Sequence, residues 1–137
     1  MTEHNKIFLD TNPVIYFIEE NQAYYDRVVQ FLSDNADADF FTSTITVAEY
    51  FPHPIREKRQ DYMDAFNLFI ESMDVKILDI DREIAKKSAQ IRAEYTGFKT
   101  MDALQLATAV LSGCDLFYTN DRQLQQFREI EVRTAED

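Results

Sequence analysis

The sequence predicts an α/β fold, a three-layer sandwich in which helices cover both faces of a central parallel β-sheet. Three observations carry that expectation. Short apolar runs, "KIFL", "DFFTS" and "DLFYT" among them, recur along the chain with helix-length segments between them. Those segments repeat apolar residues at helical spacing, and strands joined by helical crossovers must run parallel. Finally, 137 residues with only 2 glycines and 3 prolines, no low-complexity stretch and no fixed-period repeat leave no linker or solenoid. One domain over residues 1–137 is expected.

Residues 6 to 10 read as a first buried strand, with Ile7, Phe8 and Leu9 in a row and Asp10 where the apolar run stops. Asn12 and Pro13 then resemble an N-cap and first helical residue, opening "PVIYFIEE". "NQAYYDRVVQFLSDNA" has helical length and an apolar face through Tyr24, Val28, Phe31 and Leu32. A second strand around "DFFTS" follows. Tyr62, Phe66, Phe69, Ile70 and Met73 mark another helix, "VKILDI" a strand, and Ile84, Ser88, Ile91 and Tyr95 a further amphipathic helix. "DALQLATAVLSG", residues 102 to 113, is apolar on nearly every side, as a helix packed deep against a sheet should be, and Gly113 is placed to stop it. "DLFYT" is a fourth strand and "EIEVR" a candidate fifth.

Four acidic residues stand at element ends within apolar surroundings: Asp10 in "FLDTN", Glu49 in "TVAEYF", Asp102 in "KTMDALQ" and Asp121 in "YTNDRQL". Each has an ordinary explanation. Thr46 and Glu49 form a T-x-x-E capping box, Asp102 with Gln105 resembles a helix N-cap, and Asp121 suits the cap of a short last helix. Together they say more. Ligands of open parallel sheets bind at the carboxyl ends of the strands, where Asp10 and the "TND" after the fourth strand both fall. Carboxylates converging there repel one another unless a cation neutralises them. Oxygen ligands without Cys or His favour Mg²⁺ or Mn²⁺ over zinc.

Composition limits the alternatives. With 25 acidic and 14 basic residues the net charge is -11, the wrong sign for holding nucleic acid by phosphate contact unless basic residues cluster or a cation bridges. Such a surplus also suits a basic protein partner. No segment approaches the ~18 apolar residues of a membrane span, and MTEHNK lacks the layout of a signal peptide. The lone Cys114 suits a reducing compartment and reads as a buried small hydrophobe, so a cytoplasmic protein is expected.

In "FLDTNPVIYF", "TSTITVAEYFPHP", "IRAEYTGFKTMDALQLATAV" and "FYTNDRQL" the chain resembles the PIN-domain ribonucleases, especially the VapC-like toxins of toxin–antitoxin pairs, over about residues 6 to 127. The resemblance implies a PIN-like sandwich and a metal-dependent endoribonuclease. It maps an acidic quartet onto Asp10, Glu49, Asp102 and Asp121, holding one or two Mg²⁺ or Mn²⁺ ions, with Asn12 and Thr119 orienting a carboxylate or a water. It also implies a homodimer, an RNA substrate and an antitoxin partner. Met101 stands where the family often has proline. Arg56, Lys58, Arg59, Lys99 and Arg122 are the basic residues nearest the acids in sequence and are candidates for RNA contact.

Two rivals are weighed beside this reading. A PIN-like module that binds RNA or protein without cutting would typically lack one of the acids, and all four are present. An aspartate phosphotransferase of haloacid-dehalogenase type needs a second Asp two positions after the first, where this chain has Asn12.

Overall fold

The computed structural model describes residues 4–137. Five strands, β1 (Lys6–Leu9), β2 (Asp39–Ser43), β3 (Lys76–Leu78), β4 (Leu116–Thr119) and β5 (Glu131–Thr134), form one sheet in the order β3-β2-β1-β4-β5. Every neighbouring pair is parallel. The helices are α1 (Thr11–Ile18), α2 (Tyr25–Asp34), α3 (Thr44–Tyr50), α4 (Pro52–Arg56), α5 (Gln60–Ser72), α6 (Arg82–Glu94) and α7 (Thr100–Leu111), with a 3-10 turn at Arg122–Gln126.

Alternation along the strands sorts the core into two layers. Ile7, Leu9, Phe40, Leu116 and Tyr118 point to the side covered by α1, α2 and α5. Phe8, Phe41 and Phe117 point to the side covered by α6 and α7. Both faces are covered, so the strands read as continuous apolar runs. After β1 the chain adds β2 and β3 on one side of it, then crosses to add β4 and β5 on the other. Strand order therefore reverses at β1, and the crevice beyond the carboxyl ends of β1 and β4 is the place where this topology puts ligands.

The expected three-layer sandwich stands, and three helix starts differ from expectation. Asp10, not Asn12, is the N-cap of α1, its carboxylate accepting the Thr11 N–H at 2.9 Å. Ser43, not Thr46, caps α3 by accepting the Ile45 N–H, so Glu49 lies in the last turn of that helix rather than opening one. Asp102 is in the first turn of α7 behind a Lys99 cap position that makes no side-chain bond, so it is not the cap. The physical reason is shared: the helix begins directly where the buried strand or loop ends, before the next available capping side chain. Asp121 does cap the 3-10 turn through the Gln123 N–H, and Gly113, at φ 77°, ends α7 in the left-handed region that glycine enters without steric penalty. Helix α2 is shorter than the expected segment because Asn21 folds residues 21–24 into a turn, its side chain accepting the N–H groups of Ala23 and Tyr24. Helix α4 was not expected at all; it fills "PHPIR" with Pro52 in its first turn.

Candidate active site

Asp10 leaves the end of β1 into the N-terminus of α1, and only 6% of it is exposed. Its Oδ1 accepts from Thr11 N at 2.9 Å and from Gln105 Nε2 at 3.3 Å, and its Oδ2 accepts from Thr119 Oγ1 at 2.8 Å. Burial raises its proton affinity, the Thr119 and Thr11 hydrogen bonds oppose that, and the negative charges of Asp102 and Glu49 add to it; the result is a pKa pushed up to about 6. Asp102, half-buried on α7, is raised above the usual carboxylate range by desolvation and then by Asp121 and Glu49, with Lys99 pulling the other way. Asp10 and Asp102 thus feel each other and Glu49, and Asp102 feels Asp121 as well, although the four come from the end of β1, α3, α7 and the loop after β4.

Each acid is held differently. Glu49 is exposed, and its Oε1 accepts the Thr11 hydroxyl at 2.6 Å. Asp121 is fixed by its capping bond to Gln123 N, and its own N–H donates to Thr119 Oγ1 at 3.0 Å. Thr119, fully buried, therefore links Asp10 to the Asp121 backbone. Asn12 lies exposed in the first turn of α1 and makes no side-chain hydrogen bond among the described residues.

Beneath the acids runs a buried polar network that the sequence reading did not single out. Gln105 Nε2 donates to Thr46 Oγ1 at 2.9 Å as well as to Asp10, and Ser43 Oγ donates to Gln105 Oε1. Thr42, Thr46 and Thr11 continue it toward Glu49. The available signal was weak: Gln105, inside the apolar run "ALQLATA", and Thr46 were both read only as parts of helix caps. Asn120, between Thr119 and Asp121, donates to Tyr16 Oη at 3.2 Å while its buried Oδ1 has no partner among the described residues.

The basic residues divide. Lys99 acts electrostatically on Asp102. Arg59 is engaged elsewhere, bonded to Asp61 at 2.7 and 2.9 Å and lying over the Tyr62 ring. Arg56, Lys58 and Arg122 are exposed. Cys114 is buried, and burial pushes its thiol up to about 12, which disfavours the thiolate form.

The donor set fits a hard divalent cation. It is all oxygen, it is mutually repulsive, and its most buried member resists ionisation where no positive charge stands beside it. Among the described residues, no group of three or more Asp, Glu, His or Cys side chains stands in an arrangement that holds an ion by itself. The carboxylates of Asp10, Glu49 and Asp121 are engaged instead by hydroxyl, amide and backbone donors. No described helix is long and apolar enough to cross a membrane.

Comparison with known proteins bears on the family and the fold. The family profile described as PIN domain matches residues 7–130. No curated protein matches the chain significantly. Among solved structures, FitAB bound to an IR36 DNA fragment is 26% identical with a TM-score of 0.76, covering 96% of each chain. VapBC2 from Rickettsia felis, bound to a DNA fragment from its promoter, is 17% identical with a TM-score of 0.75 over 94% of this chain and 98% of that one. VapC20 of Mycobacterium tuberculosis, a sarcin-ricin loop cleaving toxin, is 16% identical with a TM-score of 0.68 over 91% and 98%.

Proposed function

Since the chain belongs to the PIN domain family, we propose that it is a metal-dependent endoribonuclease and the toxin of a toxin–antitoxin pair. The observation that carries this reading is the buried Asp10 at the switch point of the sheet, crowded by the negative charges of Asp102 and Glu49, with Asp102 in turn crowded by Asp121 and Glu49. A scaffold without chemistry gains nothing from a buried aspartate crowded by like charges.

Asp10, Asp102 and Asp121 would hold the ion, and Glu49 would either join them or accept a proton from the attacking water. Bound Mg²⁺ or Mn²⁺ supplies charge neutralisation of the scissile phosphate and acidifies a water. The chain's own contribution is placement. Thr119 and the α1 N-terminus hold Asp10 ionised despite its burial, by bonding to the charged form. Thr11 keeps Glu49 turned toward the site. Lys99, beside Asp102, favours its charged form and offers a phosphate contact.

The partner proposed is an antitoxin protein, supported by similarity to structures described as toxin–antitoxin complexes, such as one from Klebsiella pneumoniae. RNA as substrate, a homodimer and a cytoplasmic location complete the reading. The test is direct. Purified protein should cleave RNA with Mg²⁺ or Mn²⁺, stop with EDTA, and lose cleavage in Asp10→Asn and Asp102→Asn; a binding scaffold would pass none of these. Sequencing RNA ends after induced expression of wild type and Asp102→Asn identifies the substrate.

A further inference from the structure

Gln105 is 1% exposed, one turn along α7 from Asp102, and its amide is oriented by its neighbours rather than free to flip. The ionised Asp10 carboxylate can only accept, so the Gln105 amide atom facing Oδ1 is Nε2, and Oε1 is turned to receive the Ser43 hydroxyl proton. The two Nε2 protons go to Asp10 Oδ1 and Thr46 Oγ1, with the Thr11 hydroxyl farther off at 3.5 Å. The remaining hydroxyls follow in one consistent direction. Thr42 gives its proton to the Leu9 carbonyl, so Thr46 donates to Thr42, and Thr11 donates to Glu49.

The lone-pair count at Asp10 then has one outcome. Oδ1 carries two donors, Thr11 N and Gln105 Nε2, and has no lone pair left; Oδ2 carries only Thr119 and retains one. We propose that Gln105 is a positioning residue for the cation site, filling Oδ1 so that Asp10 presents Oδ2 alone as a single-oxygen ligand. This rests on the metal-dependent reading above. Partners that orient a liganding carboxylate typically change metal affinity by about 10- to 100-fold when removed.

The experiment is Mn²⁺ binding by titration calorimetry on wild type, Gln105→Met and Thr42→Val, with folding checked by circular dichroism. Methionine keeps the length of glutamine without its donors. Thr42 belongs to the same network but touches no acid, so Thr42→Val reports what a merely structural loss does. The expected result is about 10- to 100-fold weaker Mn²⁺ binding in Gln105→Met, with Thr42→Val binding as wild type does. Unchanged affinity in Gln105→Met, or an equal loss in Thr42→Val, overturns the inference while leaving the nuclease reading intact. Wild type that takes up no Mn²⁺ overturns both. If Gln105→Met does not fold, the side-chain amide resonances of Gln105 in wild type decide: they shift on Mg²⁺ addition if the inference holds, and stationary resonances overturn it.

Discussion

The hydroxyl of Thr119 donates to Oδ2 of Asp10 at 2.8 Å, joining residues 109 positions apart where β1 and β4 end side by side. The bond goes to a charged acceptor in a buried place, and the same oxygen of Thr119 receives the Asp121 N–H.

Thr119→Val should therefore lower stability by about 1.5–3 kcal/mol, the range for hydrogen bonds to charged groups. Urea unfolding at pH 7.5 in EDTA measures it. Valine keeps most of the volume, so a loss near zero would mean that the Asp10 carboxylate does not depend on this donor. The same variant should titrate Asp10 at higher pH by carboxyl ¹³C NMR, because a bond to the ionised form is gone.

Without a cation, the protein should be more stable at pH 5 than at pH 7.5. Asp10 is raised from 3.8 to about 6 in the fold, so the folded state holds the proton more tightly than the unfolded chain. Stability falls as pH rises between those values and stays low above them, by about 3 kcal/mol in full. Asp102 shifts the same way, and Glu131, held below the usual range chiefly by His4, acts only at more acidic pH. Thermal melts in EDTA across this range check the slope. Asp10→Asn should flatten it and raise the melting temperature at pH 7.5 while abolishing cleavage; a steeper slope in that variant would contradict the assignment.

Lys99→Gln separates phosphate contact from folding. Lys99 is exposed, so stability should change by less than about 0.5 kcal/mol. RNA binding to the catalytically dead Asp102→Asn background should weaken, with a salt dependence shallower by about one phosphate contact. Filter binding at several salt concentrations reads both, and an unaltered slope removes Lys99 from the RNA path.

Phe8 and Phe117 are register partners on β1 and β4, both 0% exposed, with their rings parallel at 5.3 Å between centroids. Phe117→Ala should cost about 3–5 kcal/mol, by lost burial and the cavity left in the layer under α7. The loss appears in the urea midpoint with an unchanged slope.

Much of this architecture is readable before any coordinates. The runs "KIFL", "DFFTS" and "DLFYT" are buried strands because consecutive apolar residues at their centres meet a layer on each face, and Asp10 and Asp121 stand just beyond the ends of two of them. Strand and helix identity follows from local apolar period, which each segment carries within itself. Helix starts were less readable. Asn12, Thr46 and Asp102 are all good capping types, and each lost the position because the chain had already turned into helix at the end of the preceding segment.

What the amino-acid order determined alone was the strands and every helix but α4, the placement of four acids near their ends, and the likeness to one family. Tertiary structure decided which groups meet. The β1–β4 pairing brings Thr119 to Asp10, and α7 lays Gln105 under it from 95 residues away. No local pattern encodes such a meeting, because a buried glutamine is satisfied by whichever donors and acceptors the packed layers bring within about 3 Å.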